Sequence, residues 1–387
     1  MELSSRLEEL SSHFRLLDTD LALRRLIDLG LDTQDIEIFK QILEYVNWHY
    51  SSYFKAESAL EKVQPILDRI SGTTLNTLDT NKLNLLELKD VKKRYAAGNF
   101  ELGPINLTLK AGEVIGLVGQ NGNGKTTLIR SIIGDLKLDS GKITYFNDPN
   151  LELNYDIRSQ IAYVEQTPAT WYGSLMENLM FTAAHHDFAP EENEWYVKMY
   201  IARLGLWPYK DFKWKALSGG YKMRFELART LLRNPKILLL DEPLANLDIV
   251  SQQLILDDLR FIAQSKVRPI GILLSSQQLY EVEKISTMVL FLNNGKPQYQ
   301  EFKKESKLEA ASNSLIIEME SSSERTRIES VLSQLQLERI QFNGGTYLLH
   351  FKENTNFNQV LLKIGQSDLK VNYVRDISES SRRFFFN

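Results

Sequence analysis

The sequence predicts an α/β fold built on a parallel β-sheet, with a helical region before it and a small α+β region after it. In the middle of the chain, short apolar stretches alternate with stretches of helical periodicity, which is typical of a parallel sheet covered on both faces. Residues 1–70 have helical periodicity alone. The predicted divisions are a helical extension at 1–70, a linker at 71–84, the α/β domain at 85–300, a linker at 301–313 and an α/β accessory domain at 314–387.

The sequence of the N-terminal region predicts three helices. Apolar residues spaced alternately by four and three positions predict one amphipathic helix over Leu3–Leu21. A second helix follows Thr33, with an apolar face from Ile36 to Phe54, and a third carries Leu60 to Ile70, where Pro65 predicts a break or a helix start. Such helices can pack on themselves or on their own chain, form a docking surface for a partner or a second copy, or lie on a membrane. Residues 1–70 contain more acidic than basic side chains, which disfavours binding to an anionic membrane surface.

The α/β domain opens with a strand-like stretch at 85–95 and a half-buried strand at 105–109. The buried strands that follow are predicted at 114–118, 161–164, 237–240, 270–274 and 288–292. The segment at about 171–216 has helical periodicity without a convincing strand, so we expect a helical insertion there. After Gly295 the sequence becomes polar again, which predicts the second linker.

The C-terminal region predicts a ferredoxin-like β-α-β-β-α-β unit. The order is strand 314–319, helix 324–335, strand 339–342, strand 347–351, helix 357–364 and strand 369–374. The two middle strands are joined by Asn343-Gly344-Gly345, a strong hairpin signal. This fold has many functions, so it identifies none.

Composition excludes several classes of protein. The 387 residues are 43% hydrophobic and 25% charged, with a formal net charge of −4 and no cysteine. The charge gives no basic footprint for nucleic acid, and disulfides and thiolate metal sites are excluded. The first residues lack the pattern of a signal peptide, and the longest apolar runs are far shorter than the roughly 20 residues of a membrane span. We therefore expect a cytoplasmic protein that reaches a membrane only through a partner.

A glycine-rich loop follows the strand at 114–118 and precedes a helix from about Lys125. It reads Gly119-Gln120-Asn121-Gly122-Asn123-Gly124-Lys125-Thr126-Thr127, which fits the phosphate-binding pattern G-x-x-x-x-G-K-[ST]. The glycines let backbone N–H groups approach phosphate oxygens, and the helix N-terminus favours negative charge. Lys125 is predicted to bridge the terminal phosphates and Thr126 to ligate Mg²⁺. The loop predicts binding of a nucleoside triphosphate.

Two further segments suit this chemistry. The strand at 237–240 ends in Asp241 and Glu242, where we expect a Mg²⁺ ligand and a general base for a water in line with the γ-phosphate. The segment Ser218-Gly219-Gly220-Tyr221, called here the signature segment, opens a predicted helix and forms a second anion-binding device. The chain already has a phosphate-binding loop, so a second anion-binding segment suggests contact with a nucleotide bound to another molecule.

Taken together, the loop at 119–127, the signature segment, the Asp241-Glu242 pair and Ala245-Asn246-Leu247-Asp248 resemble the motif set of ABC-type ATPases over about residues 85 to 300. The resemblance implies a parallel-sheet core, an antiparallel β subdomain and a helical insertion. It implies that Tyr95 stacks on adenine and that Gln166 ligates Mg²⁺ and senses the γ-phosphate. It also implies a head-to-tail dimer with Asp248 at the subunit contact, in which two ATP molecules lie between the phosphate loop of one copy and the signature segment of the other.

Two positions depart from the family pattern. Tyr221 stands where the family usually has Gln, a position that varies among exporter subunits. Gln277 stands where the family has a histidine that contacts the γ-phosphate. Glutamine can donate a hydrogen bond but cannot carry a titrating proton. We therefore expect hydrolysis to be slower than in a relative with histidine.

The resemblance implies the ATP-hydrolysing subunit of a membrane transporter with a separate membrane-spanning partner. The C-terminal region, which resembles an extension of several exporter ATPase subunits, favours export. One alternative is a soluble, nucleotide-dependent regulatory dimeriser. Another is a translation- or DNA-linked ABC ATPase, although those translation factors carry two cassettes and those DNA-linked proteins have long coiled coils.

Overall fold

The computed structural model describes residues 3–78, 83–95, 100–148, 153–185, 189–245, 247–302, 315–343, 345–352 and 355–378. The chain divides into two compact units, residues 1–300 and 301–387. Over the described ranges, no helix is both long enough and apolar enough to cross a bilayer.

Four helices make up the N-terminal region, which we call the N-terminal bundle. They are α1 (Leu3–Arg15), α2 (Thr19–Thr33), α3 (Ile36–His49) and α4 (Ala59–Ser71). The prediction of one helix over Leu3–Leu21 is wrong. Leu17 has a positive φ of 60°, and the Asp18 side chain accepts from the backbone N–H of Leu21, so a new helix begins there. Leu10 and Phe14 of the first helix and Ala22 and Leu23 of the second lie in one core, whereas Leu17 at the break is 51% exposed.

Two other details of the bundle differ from the prediction. Helix α3 ends at His49, so Tyr50 and Tyr53 lie beyond it, and their side chains are 41% and 80% exposed. Pro65 lies inside α4 and neither breaks nor starts it. A proline there removes one backbone donor, and burial of the apolar face that includes Val63 and Leu67 maintains the helix.

The bundle packs on its own chain, one of the three alternatives. A single hydrophobic core contains residues of α2 and α3 together with residues of the insertion and of the parallel sheet. Burial of this shared apolar surface is the dominant force joining these parts.

The parallel sheet carries most of the predicted strands. Its order is β5 (Ile161–Val164), β6 (Ile237–Leu240), β7 (Gly271–Ser276), β3 (Val114–Val118), β8 (Met288–Asn293) and β9 (Lys296–Phe302). Strands β5 to β8 and β3 pair in parallel, as the alternation of strands and helices predicted. Strand β9, at the sheet edge, includes residues 301–302, the first two of the predicted linker at 301–313.

A three-stranded antiparallel sheet lies in the same unit, as the family resemblance implied. Its order is β2 (Glu101–Lys110), β1 (Asn84–Arg94) and β4 (Ser140–Tyr145). Strand β4 was not predicted, because Ser140 to Lys142 are exposed and polar and only its last residues are buried.

The remaining helices of this unit include the predicted insertion. They are α5 (Lys125–Ile132), α6 (Tyr155–Ser159), α7 (Leu175–Ala183), α8 (Asn193–Arg203), α9 (Gly219–Leu231), α10 (Ile249–Ala263) and α11 (Leu279–Glu283). Helices α7 and α8 belong to the segment 171–216, which we call the helical insertion.

The second unit has the predicted ferredoxin-like order. Strands β10 (Ile316–Ser321), β11 (Leu337–Asn343), β12 (Thr346–Phe351) and β13 (Val371–Asp376) form an antiparallel sheet in the order β11-β12-β10-β13, with helices α12 (Arg325–Leu332) and α13 (Phe357–Gly365). Most of the predicted linker (303–313), Ser314 at the start of the predicted strand, Gly344 of the hairpin turn and 379–387 lie outside the described residues.

Candidate nucleotide site

The phosphate loop joins the end of β3 to the start of α5, and its backbone requires glycine. Gly122 and Gly124 have positive φ angles of 82° and 100°, a region that side chains disfavour. A Cβ on Gly119 would lie 2.6 Å from the carbonyl oxygen of Leu292. The loop therefore holds its N–H groups in a tight curve at the carboxyl edge of the sheet, where ligands bind in such folds.

Asn123 anchors the loop to the neighbouring strand β8. Its amide nitrogen donates to the carbonyl oxygen of Leu292 at 3.1 Å, and its amide oxygen accepts from the N–H of Asn294 at 3.1 Å. Asn123 is buried, whereas Gln120 and Asn121 are exposed at the outer turn of the loop. The fixed side of the loop is thus the side that faces the sheet.

Lys125, the first residue of α5, points back into the loop. Its ammonium group donates to the carbonyl oxygens of Gly119 at 2.6 Å and Gln120 at 3.2 Å, and pairs with Glu242 Oε1 at 3.0 Å. Lysine and glutamate are both buried, at 4% and 7% exposed. A buried charge needs such partners, and this ammonium group is placed where phosphate oxygens could replace the carbonyl oxygens.

A hydroxyl group and a carboxylate meet beside the lysine. Thr126 Oγ1 donates to Asp241 Oδ2 at 2.7 Å, and Ser275 Oγ donates to Asp241 Oδ1 at 2.7 Å. Hydroxyl and carboxylate oxygens are the ligands that Mg²⁺ prefers. Thr126 and Asp241 therefore fit a Mg²⁺ site. In the described part of the chain, no group of three or more His, Asp or Glu side chains forms a metal cluster.

Glu242 receives donors on both carboxylate oxygens. Gln277 Nε2 donates to its Oε2 at 2.6 Å and Gln166 Nε2 donates to the same oxygen at 3.3 Å, while Lys125 contacts Oε1. Glu242 has a positive φ of 48°, and its N–H donates to Ser275 Oγ at 2.8 Å. Non-glycine residues in this conformation store strain and cluster at functional sites.

The signature segment opens helix α9, as predicted. Ser218 is exposed, caps the helix and accepts from the N–H of Tyr221 at 3.5 Å. The Tyr221 hydroxyl donates to that of Tyr209 at 2.9 Å, and this bond, with partial burial, raises the pKa of Tyr221. A Cβ on Gly220 would lie 3.0 Å from Ser251 Oγ. These contacts connect the segment, with Gly219 in its first turn, to the insertion and to α10.

Asp248 caps helix α10. Its carboxylate accepts from the N–H and hydroxyl of Ser251 at 2.9 and 2.7 Å, and these bonds hold the pKa of Asp248 below its usual value. The next two residues, Ile249 and Val250, are 75% and 69% exposed. Asn246, in the same predicted motif, lies outside the described residues.

Tyr95 lies beside the phosphate loop. Its hydroxyl lies 3.2 Å from Thr127 Oγ1, and its side chain is 37% exposed. The structure therefore brings together most of the predicted residues on one edge of the sheet: Tyr95, the loop at 119–127, Gln166, Asp241, Glu242 and Gln277.

Sequence reasoning missed Ser275. This fully buried residue contacts both Asp241 and Glu242. It is the residue before Ser276, the last of strand β7, which pairs with the strand before the phosphate loop. The available signal was a hydroxyl residue at the carboxyl end of a buried parallel strand. This signal is weak, because serine is also common in the turns that follow strands and bind nothing.

Comparison with known proteins agrees with this geometry. Residues 102–245 match the family model described as ABC transporter. The phosphonates import ATP-binding protein PhnC of Treponema denticola is 28% identical over 229 residues, which cover 55% of this chain and 87% of that protein. The spermidine/putrescine import ATP-binding protein PotA of Mesoplasma florum is 35% identical over 56% of this chain, but the match covers only 61% of that protein.

A permease and a solved structure match as well. The ATP-dependent permease MDL1 of Candida albicans is 31% identical over 64% of this chain and 37% of its own length. The structure of cbiO1 from Clostridium perfringens, described as part of the ABC transporter complex cbiONQ, superposes with a TM-score of 0.53 and 28% identity. That match covers 58% of this chain and 90% of the other.

Proposed function

We propose that this chain is the ATP-hydrolysing subunit of a membrane transporter of the ABC family, whose family model matches residues 102–245. The membrane-spanning segments would belong to a separate polypeptide, which would hold this chain at the inner face of the membrane. One observation carries the proposal: Lys125, Thr126, Asp241 and Glu242 converge within hydrogen-bonding distance at one edge of the parallel sheet.

In this proposal each group has one task. The loop N–H groups and Lys125 bind the β- and γ-phosphates, and the Tyr95 ring stacks on adenine. Thr126, Asp241 and, through its amide oxygen, Gln166 would hold Mg²⁺, which neutralises phosphate charge when bound. Glu242 accepts a proton from the water that attacks the γ-phosphorus, and the bond to the bridging oxygen of ADP breaks. Before Glu242 can act as the base, a phosphate oxygen must replace its carboxylate as the partner of the Lys125 ammonium group.

The proposed working unit is a head-to-tail dimer of the chain. Ser218 and Gly219 are exposed at the start of α9, where hydroxyl and backbone donors can reach the nucleotide of a second copy. The exposed apolar side chains of Ile249 and Val250, next to Asp248, support a protein contact at that place. ATP would close the dimer, and hydrolysis would reopen it and move the membrane partner.

Export remains the predicted direction of transport. The ferredoxin-like unit supports it, because it resembles the extension of several exporter ATPase subunits. A regulatory dimeriser is the second candidate, and Gln277 favours it. This residue donates a hydrogen bond to Glu242 at the position where the family has a titrating histidine, so slow turnover and a long-lived closed dimer would follow.

The test compares the wild-type chain with Glu242→Gln. The variant should bind ATP with unchanged affinity, form an ATP-dependent dimer in light scattering, and lose at least about 10²-fold in phosphate release, because it lacks the base. Normal turnover would contradict the assignment of the base. Purification of the tagged chain from membranes should recover a multi-span protein. Recovery of the chain alone would favour the regulatory candidate.

A further inference from the structure

Helix α2 of the N-terminal bundle contacts both the helical insertion and the core of the ATPase domain through one buried arginine. Arg203, at the end of α8, is 1% exposed. Its Nη1 donates to Asp258 of α10 at 2.6 Å, and its Nε donates to Asp28 of α2. Removing a guanidinium group from water is costly unless it is paired. The two carboxylates, which come from different parts of the unit, meet that requirement together.

Further contacts attach α2 to the core. Arg25 stacks on the Phe261 ring of α10. Near the end of α2, the Asp32 carboxylate accepts from the hydroxyl of Ser265 at 2.9 Å. The carbonyl oxygen of Leu31 accepts from Arg268 at 2.9 Å. The core side of this interface therefore has several independent hydrogen bonds and ionic contacts.

Close apolar packing attaches the bundle to the insertion. A Cβ on Gly30 would lie 2.3 Å from Ile42 Cδ1 and 3.1 Å from Met199 Cε, so at this glycine α2 lies close against side chains of α3 and α8. The rings of Phe39 and Tyr196 meet edge to face, with centroids 5.1 Å apart. Interiors packed in this way transmit displacement rather than absorb it.

From Arg203 the contacts continue to the signature helix. The next residue, Leu204, accepts from Arg224 Nη1 of α9 at 3.4 Å through its carbonyl oxygen. Tyr209, farther along the insertion, pairs with Tyr221 in the signature segment itself. The position of Ser218 relative to the core therefore depends on how the insertion is held.

We propose that the N-terminal bundle is a clamp between the helical insertion and the core, in which Asp28 and Arg203 are positioning residues for Ser218. This inference rests on the proposed function, because Ser218 acts on the nucleotide of a second copy. Nothing in the ATPase motifs supplies this clamp: Asp28 lies about 90 residues before the phosphate loop. The bundle is thus part of the catalytic machine rather than an appendage.

The first experiment measures the position of the insertion directly. The chain has no cysteine, so Ala184→Cys on the insertion and Arg260→Cys on α10, both exposed, can carry two spin labels in the full chain. We expect one narrow distance distribution in the wild type and a clearly broader one in Asp28→Asn. The matched control is Asp20→Asn, the same change on the same helix, because Asp20 pairs with His49 inside the bundle. It should leave the distribution narrow.

The second experiment measures catalysis in the unlabelled chain. Asp28→Asn should lower kcat for ATP hydrolysis about tenfold with KM for ATP changed less than about twofold, since displacement of a positioning group by about 1 Å lowers rates by this order or more. Asp20→Asn should change neither constant. Equal behaviour of the two variants in both experiments would overturn the proposal. A rise in kcat for Asp28→Asn would also overturn it, because the bundle would then restrain the insertion rather than position it.

If Asp28→Asn does not fold, Ser265→Ala removes a core-side contact of the same clamp and is measured identically, with the same two outcomes. Dimer formation by Glu242→Gln with ATP tests the proposed function separately. Its failure contradicts the dimer, whereas the spin-label experiment needs no nucleotide and judges the clamp by itself.

Discussion

Replacing Ser275 by alanine should disturb the site more than the same change one residue later. Ser275 donates to Asp241 Oδ1 and accepts from the N–H of Glu242, whereas Ser276 Oγ accepts from the N–H of Gln278 at 2.9 Å. Both serines are buried, at 0% and 5% exposed. The pair therefore offers a matched comparison of an identical change.

The magnitude follows from the groups left unpaired. A hydrogen bond to a charged group contributes about 1.5–3 kcal/mol, and an unsatisfied buried donor costs about 1–3 kcal/mol. Allowing for relaxation, we expect Ser275→Ala to lower the free energy of unfolding by about 3 kcal/mol and Ser276→Ala by about 1 kcal/mol. Without Ser275, Glu242 also loses the bond that holds its backbone at positive φ, so kcat should fall about tenfold.

The assay can be confined to the larger unit. All 5 tryptophans of the chain lie between residues 48 and 214, so tryptophan fluorescence reports its unfolding. The melting midpoint should fall by roughly 5–10 °C for Ser275→Ala and by about 2 °C for Ser276→Ala. Phosphate release at saturating ATP gives kcat. Equal midpoints and equal rates for the two variants would refute the assignment of Ser275 as the residue that holds Asp241 and Glu242.

The other predictions concern the same unit. Gln277→His should raise phosphate release, by less than the 10²–10⁴-fold contribution of a proton-transfer group if Gln277 already orients Glu242; an unchanged rate would contradict the expected slowing. Gly124→Ala should weaken ATP binding in a titration with a fluorescent ATP analogue, because its Cβ would lie 2.9 Å from Phe100 Cζ at a φ of 100°, and Gly365→Ala, in open space, should bind normally. Burial lowers the pKa of His49 although Asp20 opposes the shift, so the unfolded chain takes up this proton first, and stability should fall as pH drops below about 6.5. His49→Gln should reduce that fall in tryptophan-monitored melting, and an equal fall in both proteins would count against it.

The phosphate loop and the strand ends could be predicted from the sequence because their chemistry is local. Glycine spacing, a lysine and an apolar run determine the loop within a few residues, and the loop at 119–127 lies where this pattern placed it. Apolar runs bounded by polar residues determine buried strands, so β5 and β6 have the predicted bounds.

Apolar periodicity was insufficient where a helix cap, a neighbouring strand or a distant partner decides the structure. Asp18 breaks a helix that apolar spacing alone would continue, and β9 forms from polar residues because β8 offers it an edge. Arginine usually lies at the protein surface. Two carboxylates, 175 and 55 residues away in sequence, make the burial of Arg203 possible.

The sequence by itself thus determined the nucleotide chemistry, since that chemistry resides in short motifs of fixed spacing. Only the tertiary structure decided where the first 70 residues pack, in one core with residues of the helical insertion and the parallel sheet. A buried charge is tolerated only where a partner of opposite charge lies beside it. The partners of Arg203 are 175 and 55 residues away, so no short stretch of sequence shows the pairing.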